Sequence, residues 1–187
     1  IMQVVKRSGE REPVMFDKIS LRMKKLLWNM SEENNVDCAK IAQKICASIY
    51  DGIHTSTIDE LASETAQSMI ILHPDYGTLA ARIVISNMHK NTQTSLVDVY
   101  SELHKKRLVS SEFMDLILKH NGVLEKNLDY DMDYNFDYFG FKTLERSYLL
   151  KLDNKIMERP QHMFLRVCLQ IHGDDTERVI DSYQHMS

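Results

Sequence analysis

Apolar positions in the first half of the chain fall into stripes with helical spacing. Ile19, Met23, Leu26, Leu27 and Met30 step along one face, and Asp17 stands where an N-cap would, so the pattern predicts a helix from Asp17 to about Met30. The polar stretch Ser31 to Asn35 reads as a loop. Ile41, Ile45 and Ile49 mark a second helix over about Ala39 to Tyr50, ended by Asp51-Gly52. Ile58, Leu61, Thr65 and Met69 mark a third, starting near Thr57 with Glu60 at capping-box spacing. His73-Pro74-Asp75 breaks the pattern, and Leu79, Ile83 and Met88 carry a fourth helix to about Lys90. Ahead of these lie two strand-like runs, Gln3–Lys6 and Pro13–Phe16, joined by Arg7-Ser8-Gly9-Glu10 with glycine where a positive φ is wanted. A lone hairpin is marginal in water, so it must pack on the helices.

The pattern changes after Gln93. Helices are expected over Leu96–Leu108 and Ser111–His120, then an aromatic and acidic run from Asp129 without helical period. A short helix at Lys142–Arg146 and two short strands, Tyr148–Leu150 and Lys155–Met157, follow, the strands joined at Asp153-Asn154. Two helices, Gln161–His172 and Asp174–Met186, complete the chain, the last capped by Asp174 and Asp175. The fold class is mainly α (α+β): residues 1–93 form a hairpin capping four helices, and 94–187 a second, helical segment.

Composition narrows the function. With 187 residues, 43% apolar and 27% charged, the chain has the balance of a soluble globular protein, and no run approaches the length of a membrane span. A formal charge of −4 argues against a general nucleic-acid binder. Cys38, Cys46 and Cys168 form no CxxC or zinc spacing; they read as small buried hydrophobes in a reducing compartment. The opening Ile1-Met2 reads as a trimmed end.

Candidate chemistry is sparse. Asp129, Asp131 and Asp133 imitate the start of a calcium loop, but Tyr134 stands where its glycine belongs and Gly140 where its bidentate glutamate belongs. A packed aromatic loop with solvated carboxylates is the better reading. The eight histidines form no ligand pair, and no phosphate loop or nucleophile motif is present. Lys6, Arg7, Arg11 and Lys18 cluster around the hairpin and first helix, offset by Glu10, Glu12 and Asp17. From the residues alone, phosphate binding and a solvated hairpin both stay open.

Longer words go further. VVKRSGEREPVMFDKIS resembles the opening of the ATP-cone domain, and HPDYGTLAARIVISNMHK resembles the last cone helix of eukaryote-type class I ribonucleotide reductase large subunits. FGFKTLERSYLLK and ERPQHMFLRV resemble the segments that precede that family's catalytic barrel. The resemblance runs from Met2 to Ser187. It implies an ATP-cone over 1–93 and a helical segment leading to a barrel that lies beyond Ser187, with the thiyl-radical cysteine, redox cysteines and specificity site.

The resemblance also implies a role: the allosteric region of an enzyme that reduces ribonucleoside diphosphates for DNA synthesis, with ATP activating and dATP inhibiting. Magnesium would accompany the nucleotide, and no residue of this chain would be catalytic. Lys6 and Arg7 would contact the nucleotide; Glu12, Val14, Met15, Phe16, Asp17 and Lys18 would form the strand-to-helix wall; Thr55 and Asp59 would face it; Lys90 would sit on the phosphate side. The implied partners are a radical-bearing small subunit and further large subunits as a homo-oligomer, with neither nucleic acid nor membrane, in the cytoplasm. Ser8 stands where that family often has Asp, Pro13 replaces a polar residue, and the Lys90–Ser111 connection is shorter than in many members. Two other classes share features: a cone-type transcription regulator, which carries a CxxC zinc ribbon absent here, and a degenerate cone acting only as an interaction module.

Overall fold

The computed structural model describes residues 2–30 and 34–187, which divide into two compact units. The first runs to Asn87 and takes in Phe136–Phe141; the second comprises Met88–Asn135 and Lys142–Ser187.

The first unit opens on a three-stranded sheet of order β2-β1-β3, with β1 Gln3–Val5, β2 Arg11–Pro13 and β3 Ile53–His54. The second strand lies earlier than the expected Pro13–Phe16. Lys6 N–H bonds to the Glu10 carbonyl and Gly9 N–H to the Lys6 carbonyl, closing a short loop at Gly9 with φ 84°. That closure sets Val5 opposite Arg11 and Gln3 opposite Pro13. The third strand has two residues, too few for a period, and pairs parallel to β1 with Val4 opposite Ile53. Asp51 accepts the Gln3 N–H at 2.7 Å, and Gly52 turns the chain at φ 81°.

Helix α1 covers Phe16–Lys24 and α2 Cys38–Cys46. Asp17 is inside the first turn of α1, not at its N-cap, where it still faces the positive helix end. The helix stops six residues short of Met30 for a long-range reason. Arg82 donates to the Leu26 and Trp28 carbonyls at 2.8 and 2.6 Å and lies 3.8 Å over the Trp28 ring, while Asn29 takes φ 54°. Of the expected loop, residues 31–33 lie outside the described residues; Asn34 and Asn35 have no regular structure. Asp37 caps α2 by accepting the Lys40 N–H.

Helix α3, Thr55–Ser68, begins two residues before the expected start, directly off β3, and has no side-chain cap; Thr57 lies inside the helix, so no capping box forms. A 3-10 turn and Pro74 separate it from α4, Asp75–Asn91. Val4, Met23, Ile41, Ile45, Ile53, Ala66 and Leu79 are buried in one core.

The second unit holds α5 Leu96–Lys105, α6 Ser111–Asn127, the end of α7 Tyr138–Ser147, α8 Pro160–His172 and α9 Thr176–Met186. Helix α6 runs two turns beyond the expected His120. The acidic run forms a 3-10 helix, Tyr130–Asn135, and Asp133 is not solvated: it is fully buried and 2.7 Å from His89 Nε2. Strands β4 Lys151–Leu152 and β5 Lys155–Ile156 are shorter than expected and turn through Asp153 and Asn154, both at positive φ. Asp175 caps α9, while Asp174 pairs with Lys119 and His120. Cys38 and Cys168 are buried, Cys46 half-buried, and all three are free thiols. No helix among the described residues is long and apolar enough to cross a membrane.

The start of α8 buries polar groups densely. The fully buried Glu158 carboxylate accepts from Arg166, from Tyr100 Oη at 2.9 Å and from the Leu150 N–H at 3.0 Å. Arg159 donates to the His89 carbonyl and the Thr92 hydroxyl, both at 2.9 Å, so it caps the C-terminal end of α4. His162 Nδ1 accepts the Arg159 N–H at 3.1 Å, and Nε2 meets Tyr130 Oη at 2.8 Å, whose proton goes to the Thr94 carbonyl. These partners specify a neutral imidazole. Burial first, and the Arg159 charge second, pull its pKa from 6.5 to about 3.

Stability contributed by the neutral His162 is therefore whole above pH 6.5 and is lost as pH falls from there towards 3. Between pH 7 and pH 5 the loss is expected to be on the order of 2 kcal/mol, since the unfolded chain takes up the proton. Gln offers a donor and an acceptor but gains no proton, so His162→Gln should flatten this slope. Denaturant melts of both proteins at pH 7 and 5 measure it; parallel slopes would refute the assignment.

Candidate functional site

A cavity of about 220 Å³ opens in the first unit between the hairpin, α1, α3 and α4. Its apolar wall includes Val14, Ile19, Met23, Ile58, Ala62 and Ile83. The walls come from ordinary amphipathic periodicity: Ile19 and Met23 are four apart on α1, as are Ile58 and Ala62 on α3. Polar groups enter at defined points: Glu12, Lys18, Arg22, Thr55, Asp59 and Ser86.

Asp59 is the centre of this polar set. Its side chain is only 7% exposed, yet it is a carboxylate in the second turn of α3. The Arg7 guanidinium donates to Asp59 Oδ2 at 3.1 Å and reaches Thr55 Oγ1 at 3.5 Å. Arg22 donates to the same Oδ2, and Arg7 also donates to Asn87 Oδ1. Asn87 in turn donates to the Ser56 carbonyl at 3.4 Å. Hairpin, α1 and α3 thus meet at one carboxylate, and α4 joins them through Arg7 and the Ser56 carbonyl. Burial pulls the Arg22 pKa below its usual range, partly opposed by the Asp59 charge.

A second, more exposed group lies along the hairpin. Glu12 is bridged by Lys6 and Lys18, each at 3.1 Å, and Lys6 also pairs with Glu10 at 3.1 Å. Hydrogen bonds from Lys6 and then Lys18 hold the Glu12 carboxyl below its usual range, and those that Lys6 makes to Glu12 and then Glu10 raise Lys6 above its own.

Six of the residues singled out from sequence line the cavity: Glu12, Val14, Met15, Lys18, Thr55 and Asp59. Lys6 and Arg7 are joined to that lining through Glu12 and Asp59. Phe16 and Asp17 are exposed at the start of α1 and do not line it. Lys90 is exposed in the last turn of α4, three residues after Asn87, and is not on the lining either. Arg22, Ser86 and Asn87 were missed. Arg22 lies four residues after Lys18, on the same helical face, so its position was available from spacing. Ser86 and Asn87 follow directly on the apolar run Ile83–Ile85 of α4 and carry no local signal. No group of three or more His, Cys, Asp or Glu among the described residues is placed to hold a metal ion.

A concave apolar site with a few converging charged groups is the form of a small-molecule binding domain. Residues 2–91 match the ATP cone domain, and residues 134–187 match the ribonucleotide reductase all-alpha domain. The whole chain is 46% identical over 195 aligned positions to the ribonucleoside-diphosphate reductase large subunit of Arabidopsis thaliana. It is 43% identical to large chain 2 of Saccharomyces cerevisiae and 43% to the large subunit of Monkeypox virus, in each case over the whole of this chain. The chain belongs to the ribonucleoside-diphosphate reductase large-subunit family and corresponds to its N-terminal region. It spans about a quarter of those relatives, 24%, 22% and 25% of their respective lengths.

Removing the shared carboxylate leaves two partly desolvated guanidiniums facing each other. Asp59→Ala is expected to cost on the order of 2–3 kcal/mol, less than for a fully buried pair because both arginines keep some contact with water. Asp59→Asn keeps an acceptor and should cost less. Urea unfolding of the three proteins checks this order; an Ala variant as stable as the parent would contradict it.

Proposed function

We propose that this cavity is the adenine-nucleotide effector site of a ribonucleoside-diphosphate reductase large subunit, at which ATP activates and dATP inhibits. The observation that carries the reading is Asp59, a nearly buried carboxylate on the wall of an apolar cavity beside Arg7 and Thr55. Val14, Ile19, Ile58 and Ala62 offer flat contact to a purine. Glu12, kept ionised by Lys6 and Lys18, is an acceptor for an exocyclic amine. Asp59 is an acceptor for a ribose hydroxyl. Lys6 and Arg7 meet phosphate. The cavity is smaller than the roughly 300–1,000 Å³ that encloses a drug-sized ligand. It takes the base and part of the sugar, with the phosphates and their magnesium ion at the mouth.

In the whole enzyme this region would govern reduction of ribonucleoside diphosphates for DNA synthesis in the cytoplasm. Its partners would be a radical-bearing small subunit and further large subunits. A regulatory site shifts an equilibrium only by its differential affinity for two states. On this reading the differential lies in how the ligand rearranges the bonds of Arg7 to Asp59 and to Asn87.

Calorimetric titration of the folded chain with ATP and with dATP should give saturable binding at one site. No binding to a folded sample overturns the proposal. Asp59→Asn should draw the ATP and dATP affinities towards one another, by up to about tenfold, because a hydrogen bond to a charged acceptor is worth about 1.5–3 kcal/mol. Unchanged discrimination in a folded variant counts against the role given to Asp59.

A further inference from the structure

We propose that Arg22 is a second phosphate-contacting guanidinium of the cavity, shared between Asp59 and the nucleotide. The proposal rests on reading the cavity as an adenine-nucleotide site. It is motivated by charge geometry. Arg7 and Arg22 both donate to one oxygen of Asp59, so two cations stand within a few ångströms of one another against a single carboxylate at that point. Arg22 lines the cavity itself, whereas Arg7 does not. Its side chain is 30% exposed, and the Asp59 pair is the one ionic contact the structure gives it among the described residues. The neighbouring Arg7 charge adds to burial in disfavouring the charged Arg22. An anion entering between the two guanidiniums relieves that repulsion, and a planar fork can hold a carboxylate with one edge and a phosphate oxygen with the other.

Position supports the same role. Arg22 lies one turn after Lys18 on α1, and both side chains line the cavity. Lys18, however, is tied to Glu12 on the hairpin side, whereas Arg22 is tied to the α3 carboxylate. An anion at Arg22 is therefore an anion beside Arg7 and Thr55, the group already assigned to the sugar and phosphates. If Arg22 served only to hold Asp59, it would act on the sugar and not on the phosphate chain.

The test is the gain in affinity along AMP, ADP and ATP, measured by calorimetry on the 187-residue chain and on Arg22→Gln. Whatever AMP itself loses through Asp59, the variant should lose about a further tenfold of the gain from AMP to ATP. Arg22→Lys should recover part of the gain, since a point charge attracts phosphate without the fork. An equal loss for AMP and ATP would assign Arg22 to Asp59 alone and overturn the proposal; so would an unchanged gain. If Arg22→Gln does not fold, by circular dichroism, Arg22→Lys carries the test: it must lose part of the AMP-to-ATP gain, and a full gain overturns the proposal. Failure of the parent chain to bind any of the three nucleotides is a different result, and refutes the effector-site reading itself.

Discussion

The first unit depends on one carboxylate. Asp59 is nearly buried in α3 and is met there by Arg7 from the hairpin and Arg22 from α1, with Asn87 of α4 accepting from the same Arg7 nitrogen. Such a group is costly to desolvate, and apolar replacements of similar shape are often at least as stabilising. Its value lies elsewhere. The hairpin has only three pairs of residues in register, too little to fix its place on the helices by ladder bonds alone. Beside the β1–β3 pairing that runs into α3, Arg7 adds a tie of defined direction, because a guanidinium fork is directional where an apolar contact is not. The price of that constraint is a polar centre in a cavity wall, and a polar centre in a cavity wall is what a ligand recognises.

The fold's helices were legible because burial is periodic. Ile41, Ile45 and Ile49 are all buried, and Ile58, Met69, Leu79 and Ile83 fall where their spacing put them. What was illegible came from partners far along the chain. Helix α1 ends early because Arg82 takes carbonyls that follow it, 56 and 54 residues away. The strand Ile53–His54 exists because β1 offers an edge, and a two-residue run has no period to read. Thr57 and Glu60 have capping-box spacing, but β3 delivers the chain into α3 at Thr55, leaving Thr57 inside.

The candidate site shows the same division. Spacing and composition found the basic cluster but could not weigh it, because Glu12 offsets Lys6 and Lys18 in sequence and in space alike. The family resemblance added Thr55 and Asp59, which no local pattern marks. Neither route reached Arg22, because its surrounding stripe reads as core: Ile19, Met23 and Leu26 flank it and all three line the same cavity. In the acidic run Asp129 and Asp131 are exposed as expected, but Asp133 departs from that reading for a related reason. A carboxylate is solvated by default, whereas Asp133 is buried with one oxygen against His89, a partner 44 residues away that no local pattern shows.

Cavity and core in the first unit are built from the same residues. Val4, Met23, Ile58, Ala62 and Ile83 belong to the buried cluster and also line the cavity. A ligand seated there touches the packing that holds hairpin to helices, so occupancy and rigidity cannot be separated. Binding to the folded form alone stabilises it in proportion to the logarithm of ligand over dissociation constant, with no further device needed. On the proposed reading, the Asp59 centre would set the sense of the response. A ligand drawing Arg7 or Arg22 from the carboxylate would loosen the hairpin–helix tie, while one joining the cluster would tighten it. Two ligands differing by a single hydroxyl would meet the same apolar walls, so a difference in their effects would have to arise at polar groups such as this charged cluster.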